Sequence, residues 1–219
     1  LVREGEGVAG VVAERGGERR ECRARVTVGA DGRRSVVARS LGLLREHPRM
    51  RRFAVRGHWE GVEALGDVGE MHVGRGGYCG VAPLSATLAN VAFVLDRREM
   101  APAGGDLEAF YRAALRRRWP RLAERLEGAH LDLPPRAIGP LALECRAVTA
   151  PGAVLVGDAA GFYDPFTGEG ITLALRTAEL AAGAISTALA RGAAAPARRL
   201  LGYERERAAA TRDKFRFNR

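Results

Sequence analysis

Two short segments constrain this chain more than anything else in it. One is VTVGADGRRSVVARSLG, residues 26–42; the other is VLVGDAAGFYDPFTGEGITLAL, residues 154–175. Each reads as an apolar strand, a tight Gly/Asp turn and the start of a helix. That arrangement points backbone N–H groups and the positive end of a helix dipole at whatever lies beyond the strand, which favours an anionic ligand. Glycine lets backbone come close to the ligand, and aspartate accepts hydrogen bonds from sugar hydroxyls.

The remaining pattern places these segments in an α/β fold. Residues 8–14 and 19–28 read as a β-hairpin around Arg15-Gly16-Gly17-Glu18, with Cys22, Ala24, Val26 and Val28 on one side of its second strand. A short helix from Ser35 to Leu41 stops at Gly42. Residues 51–95 hold the strands RRFAVRGHW, EMHV, YCGVAPL and LANVAFVL, separated by glycine-rich turns, which predicts an antiparallel sheet. Asp106 caps an amphipathic helix that ends before Pro120, and a second short helix covers 121–127. A strand over 141–149 and a buried strand over 153–156 follow. An alanine-rich helix then runs from 168 to 189, and Pro196 separates it from a basic helix over 198–213. The pattern divides the chain into two motif-bearing stretches, residues 1–45 and 146–190, a sheet-rich stretch between them, 46–145, and a C-terminal basic helix, 191–219.

Composition excludes several classes. With 219 residues and 47% apolar content, the chain can bury a sizeable core. The formal net charge is +9, and Lys214 is the only lysine. The arginines are scattered among glutamates without interleaved aromatics, which reads as a solvated mixed surface and not a specific nucleic-acid module. Cys22, Cys79 and Cys145 are far apart with no CxxC pair, so neither a disulfide framework nor a zinc site is expected. His47, His58, His72 and His130 have no metal-ligand spacing, and no metal is expected. No apolar run approaches the roughly 20 residues of a membrane span. A cytoplasmic protein with reduced thiols is the expectation.

The two segments resemble the internal DG and GD fingerprints of flavoprotein hydroxylases and their relatives, the para-hydroxybenzoate-hydroxylase-like superfamily. The resemblance covers essentially the whole chain, including motif order and spacer. It implies that residues 1–45 with 146–190 are a Rossmann-like FAD domain and that 46–145 are an inserted antiparallel-sheet substrate domain. It implies FAD as cofactor, NAD(P)H as electron donor, and a small, apolar substrate. Asp158, after Gly157, would bind the ribityl chain, and Pro165 would lie beside the flavin ring. Gly168, Glu169, Gly170 and Ile171 would present a helix N-terminus to the flavin, where it stabilises negative charge by about 0.3–2 kcal/mol. Asp31 and Gly32 would lie near the pyrophosphate and ribose.

The superfamily opens with a GxGxxG βαβ unit. Gly5-Glu6-Gly7-Val8-Ala9-Gly10 has the spacing, but a strand and turn follow it instead of a helix, so it reads as a hairpin turn. Gly74, Gly76 and Gly80 are a second decoy. The expectation is a chain that starts after that unit, its 153–156 strand and the strand ending at Val28 lying on either side of strands from the absent segment. The run GDAAGF…P.TGEGI looks like the geranylgeranyl-reductase-related branch, which reduces alkenes, although halogenases also carry GDAAGF. The tunnel motif YxWxFP of those reductases has only Gly77-Tyr78-Cys79-Gly80-Val81-Ala82-Pro83 as a counterpart, without tryptophan or phenylalanine. Tyr78 and Cys79 are the catalytic candidates, with strand packing as the alternative reading. A flavin monooxygenase or halogenase is the alternative activity, and an inactive basic anion-binding module the alternative of another class. Peripheral membrane contact is a further expectation.

Overall fold

The computed structural model describes residues 1–190 and 197–217, without the side chains of 102, 197–199, 216 and 217. Pro196 and the end of the alanine-rich stretch lie outside the described residues. The chain forms two compact units, Leu1–His47 with Ala142–Arg219, and Pro48–Leu141.

The first unit opens with β1 (Val2–Glu4), β2 (Gly7–Arg15) and β3 (Glu18–Arg23), an antiparallel sheet in that order. Gly5 turns the chain between β1 and β2 at a φ of 57°, so the first glycine decoy serves a hairpin. Next come β4 (Thr27–Gly29), α1 (Val36–Ser40) and β5 (Leu44–Glu46). The strand expected over 19–28 is thus two strands, and the break reverses its faces. Thr27 and Gly29 are buried, whereas Val28 is 46% exposed. Crowding at Gly29 explains this. A Cβ there would lie 2.6 Å from Leu155 Cδ2 and 3.1 Å from Val37 Cβ, so glycine alone lets the strand pack this closely.

The second unit holds β6 (Arg52–Glu60), β7 (Glu70–Gly74), β8 (Gly77–Pro83), β9 (Ala89–Asp96), α2 (Leu107–Arg118), α3 (Pro120–Arg125) and β10 (His130–Ile138). Its antiparallel sheet has the order β10-β6-β9-β8-β7. The sequence predicts four of these strands and misses β10, because Pro134-Pro135 argue against a strand. β10 tolerates them at the sheet edge, where its pairing with β6 shifts register between Leu133 and Arg136. Asp106 Oδ1 accepts from Glu108 N and Ala109 N and so caps α2. α2 packs Phe110, Tyr111, Ala114 and Leu115 into a core with Val55, Val91, Phe93 and Leu95. Trp59 Nε1 donates to Tyr111 Oη at 3.0 Å, and Tyr111 donates to Val91 O at 2.8 Å, which satisfies the polar atoms of this core.

The chain then returns to the first unit through β11 (Leu143–Cys145), β12 (Thr149–Ala150), β13 (Ala153–Leu155), β14 (Gly161–Phe162), α4 (Gly170–Ala190) and α5 (Ala197–Phe217). The strand expected over 141–149 is split between two sheets, β14-β11-β5 and β12-β13-β4. β13 pairs in parallel with β4, Val154 opposite Val28. These two strands were expected on either side of strands from elsewhere; they are direct neighbours. α4 corrects a second expectation, since by length and composition alone it is long and apolar enough to cross a membrane. Its leucines and isoleucines supply most of that apolarity, and the helix buries Thr177, Ala181 and Ala188.

Candidate cofactor site

β13 delivers the chain to Gly157, whose φ of 55° suits glycine. Its N–H donates to Thr177 Oγ1 at 2.9 Å, and that hydroxyl donates to Leu173 O at 2.8 Å. The turn is thereby tied to α4. Residues Gly157–Ala160 form one 3-10 turn that carries Asp158. Further on, Asp164 Oδ1 accepts from Phe166 N at 3.0 Å, an Asx-type turn that carries Pro165. Gly168 N donates to Pro165 O at 3.0 Å with Gly168 at a φ of 68°, and Leu173 N to Glu169 O at 3.0 Å begins α4.

This path brings together one cleft of about 200 Å³, lined by Gly157, Asp158, Pro165, Gly168, Glu169, Gly170 and Ile171. All seven are sequence-predicted site residues. Asp31 and Gly32 are not in the lining. Asp31 Oδ2 accepts from Val36 N at 2.6 Å and from Val37 N at 3.3 Å, so it caps α1. Partial burial works against its ionisation, but hydrogen bonds from Ser35 and from the Val37 and Val36 amides win and lower its pKa. Gly32 has a φ of 77°, and a Cβ there would meet nothing. Cys79 is fully buried in the core of the second unit, and burial pushes its thiol up to about 12. Tyr78, beside it on β8, is buried as well. Packing in that core accounts for the burial of Cys79.

Several contributors escaped the sequence reading. Arg33, next to the DG pair, interacts with Asp158, so the two motifs meet electrostatically. Lys214 Nζ lies 3.4 Å from Glu169 Oε2. Thr167 and Lys214 hold the Glu169 carboxyl below its ordinary pKa. Lys214 is the single lysine among 35 Lys and Arg, and that was the only signal available. Burial raises the pKa of Asp158, while Arg33 and Lys214 pull it down.

The residues fit a flavin dinucleotide. Asp158 is half-buried and has no hydrogen-bond partner among the described residues, so it stands as an acceptor for hydroxyl groups. The first-turn amides of α4 have no intrahelical acceptor, as at any helix start. A Cβ at Gly168 or Gly170 would meet nothing within 4 Å, which leaves room for a ligand against the backbone. Ile171 and Leu175 are 78% and 68% exposed and offer apolar surface for a flat ring.

A parallel strand pair, a ligand-facing Gly/Asp turn and an open helix start define a dinucleotide-binding α/β protein. The chain belongs to the FAD binding domain family, whose model matches residues 1–218, and so to the para-hydroxybenzoate-hydroxylase-like flavoproteins. It is similar to the 1H-pyrrole-2-carbonyl-(peptidyl-carrier protein) chlorinase of Pseudomonas fluorescens, 25% identical over 179 residues, which covers 77% of this chain and 40% of that protein. It is 29% identical over 202 residues to the digeranylgeranylglycerophospholipid reductase of Methanospirillum hungatei, covering 87% of this chain and 47% of that one. The solved structure of the myxobacterial chondrochloren halogenase CndH, an FAD-dependent halogenase, superimposes with a TM-score of 0.88 at 27% identity, covering 99% of this chain and 52% of that one. The chain therefore spans less than half the length of the two curated relatives.

Proposed function

We propose that the protein is an FAD-dependent oxidoreductase that uses oxygen on a small apolar molecule, in the manner of a flavin halogenase or monooxygenase. The likeness to CndH over 99% of the chain carries this reading. FAD, held by Asp158 and the α4 N-terminus, would supply the redox chemistry between NAD(P)H and oxygen. The protein's share is to bind and to orient. Asp158 accepts hydrogen bonds from the ribityl hydroxyls, and the α4 N-terminus stabilises negative charge on the ring. Lys214 offsets the charge of Glu169 there, so the carboxylate does not cancel the dipole.

Alkene reduction is the second reading. It is favoured by the match to the lipid reductase over 87% of the chain and by the TGEGI run. One experiment separates the two. The FAD-loaded protein is reduced with NADPH and mixed either with oxygen, bromide and a pyrrole or phenol, or anaerobically with a geranylgeranyl lipid. A halogenated or hydroxylated product supports the first reading. Anaerobic reoxidation by the lipid supports the second. A colourless protein that takes up no FAD removes both.

A further inference from the structure

α5 turns a row of polar side chains toward β12, β13 and the Asp158 turn. Tyr203 Oη donates to Leu155 O at 2.7 Å. Glu204 Oε1 accepts from Val148 N, Thr149 N and Thr149 Oγ1. Arg207 Nη2 donates to Ala160 O at 3.0 Å. The first two are well matched, but Arg207 is not. Its residue is 9% exposed, its Nε has no hydrogen-bond partner, and no carboxylate pairs with it among the described residues. The Phe215 ring, 5.7 Å from the guanidinium carbon, attracts the cation without neutralising it.

Buried charge is ordinarily paired, because desolvation of a lone ion is strongly unfavourable. The nearby acids are already engaged. Glu204 serves the amides named above. Glu144 Oε1 accepts from Tyr163 Oη at 3.0 Å and lies 3.4 Å from His47 Nε2, and its Oε2 pairs with Arg45 at 3.0 Å. Arg207 meanwhile opens on a cleft of about 400 Å³ that Arg45, Arg146 and Arg212 also line, with Glu144 as its one acid. Among the described residues Glu204 acts on Arg207 only at a distance, and no carboxylate is left to pair with it, so the cleft is open to a compensating anion.

We infer that this cleft is an anion-binding site centred on Arg207, which takes a phosphate or carboxylate group. An oxyanion suits it better than a single-atom ion. The guanidinium is a planar fork matched to two oxygens, and the cleft is far larger than a halide needs. The other arginines form a mouth that draws the anion inward. The site lies behind Ala160, on the same turn as Asp158, so its occupant would hold that turn from the rear.

Arg207 also borders the cofactor cleft, so the test is made on FAD-loaded protein. Inorganic phosphate, and acetate in a second arm, are titrated at fixed ionic strength while melting temperature and the phosphorus NMR line width are followed. A saturable rise in melting temperature is expected. Saturation by acetate as well identifies a carboxylate-type ligand, and saturation by phosphate alone a phosphate-type one. Arg207→Gln should weaken binding at least tenfold, and the exposed double variant Arg146→Ala with Arg212→Ala about threefold. If Arg207→Gln does not fold, the double variant decides. A rise that never saturates, meaning an adventitious ion only, overturns the site. So does phosphate binding that disappears once FAD is bound, or a double variant that binds phosphate like the parent. Failure of the flavin reading shows separately, as the lack of a flavin spectrum.

Discussion

Asp158 is pulled two ways. Burial without a hydrogen-bond donor raises its pKa above the ordinary 3.8, so its ionisation opposes folding at every pH above that value. Its stabilising form, the neutral acid, is fully present below 3.8 and is lost as pH rises through the elevated folded value. Asp158→Asn should therefore melt higher than the parent at pH 7 without FAD. The difference should shrink toward zero as the pH falls below 3.8. The same substitution should weaken FAD by about ten- to a hundredfold, since charge-assisted hydrogen bonds contribute about 1.5–3 kcal/mol. A variant that melts lower at pH 7 and binds FAD unchanged would make Asp158 a plain turn residue. Gly157 offers a second test. With a φ of 55° and a Cβ placed 3.1 Å from Ala174 Cβ, Gly157→Ala should lose about 1–3 kcal/mol in urea denaturation. Residues of this kind are legible in sequence because the motif packs their chemistry into adjacent positions. Arg33, Thr177, Lys214 and Arg207 are not legible, because only the packing of α4 and α5 decides what they meet.

Among the elements, α5 has the most to say about what sequence conceals. Its row of Tyr203, Glu204, Arg207 and Thr211 reads as unremarkable helix, with arginines and glutamates at either side. Only its docking shows that Tyr203 satisfies the carbonyl of Leu155 next to the cofactor turn. Tyr203→Phe should destabilise the protein by about 1–3 kcal/mol, because it leaves a buried carbonyl without its donor. Chemical denaturation checks this, and a loss below about 0.3 kcal/mol would mean that water replaces the hydroxyl. The turn-bounded strands β6 to β9 and the capped helix α2 were legible, since alternation and the Asp106 cap are local signals. β10 was hidden by its prolines, which matter less at an edge than inside a sheet. β4 was read with its faces reversed, because alternation carried on through residues 24–26 where the chain changes sheets.

On the scale of the whole molecule, both tryptophans, Trp59 and Trp119, sit in the core of the Pro48–Leu141 unit. Tryptophan emission therefore reports that core alone. Residues 48–141 expressed separately should give buried-type emission and one cooperative urea transition, as a sheet with its own helix-covered core requires. Solvent-exposed emission without a cooperative transition would show that the unit needs its host. The ends of this unit are already joined. Leu141 N donates to Arg52 O at 2.8 Å inside it, and His47 N donates to Ala142 O at 3.1 Å where β5 and β11 run side by side in the host. This has a kinetic meaning. The host must bring Leu1–His47 to Ala142–Arg219 across everything between them, and closing so long a loop is entropically unfavourable. If the insert folds first, it delivers the two ends as neighbours and removes about 2–3 kcal/mol of that closure penalty. The natural order of assembly is then the reverse of the order of importance: the inserted sheet condenses first, and the unit that carries the Asp158 turn closes after it.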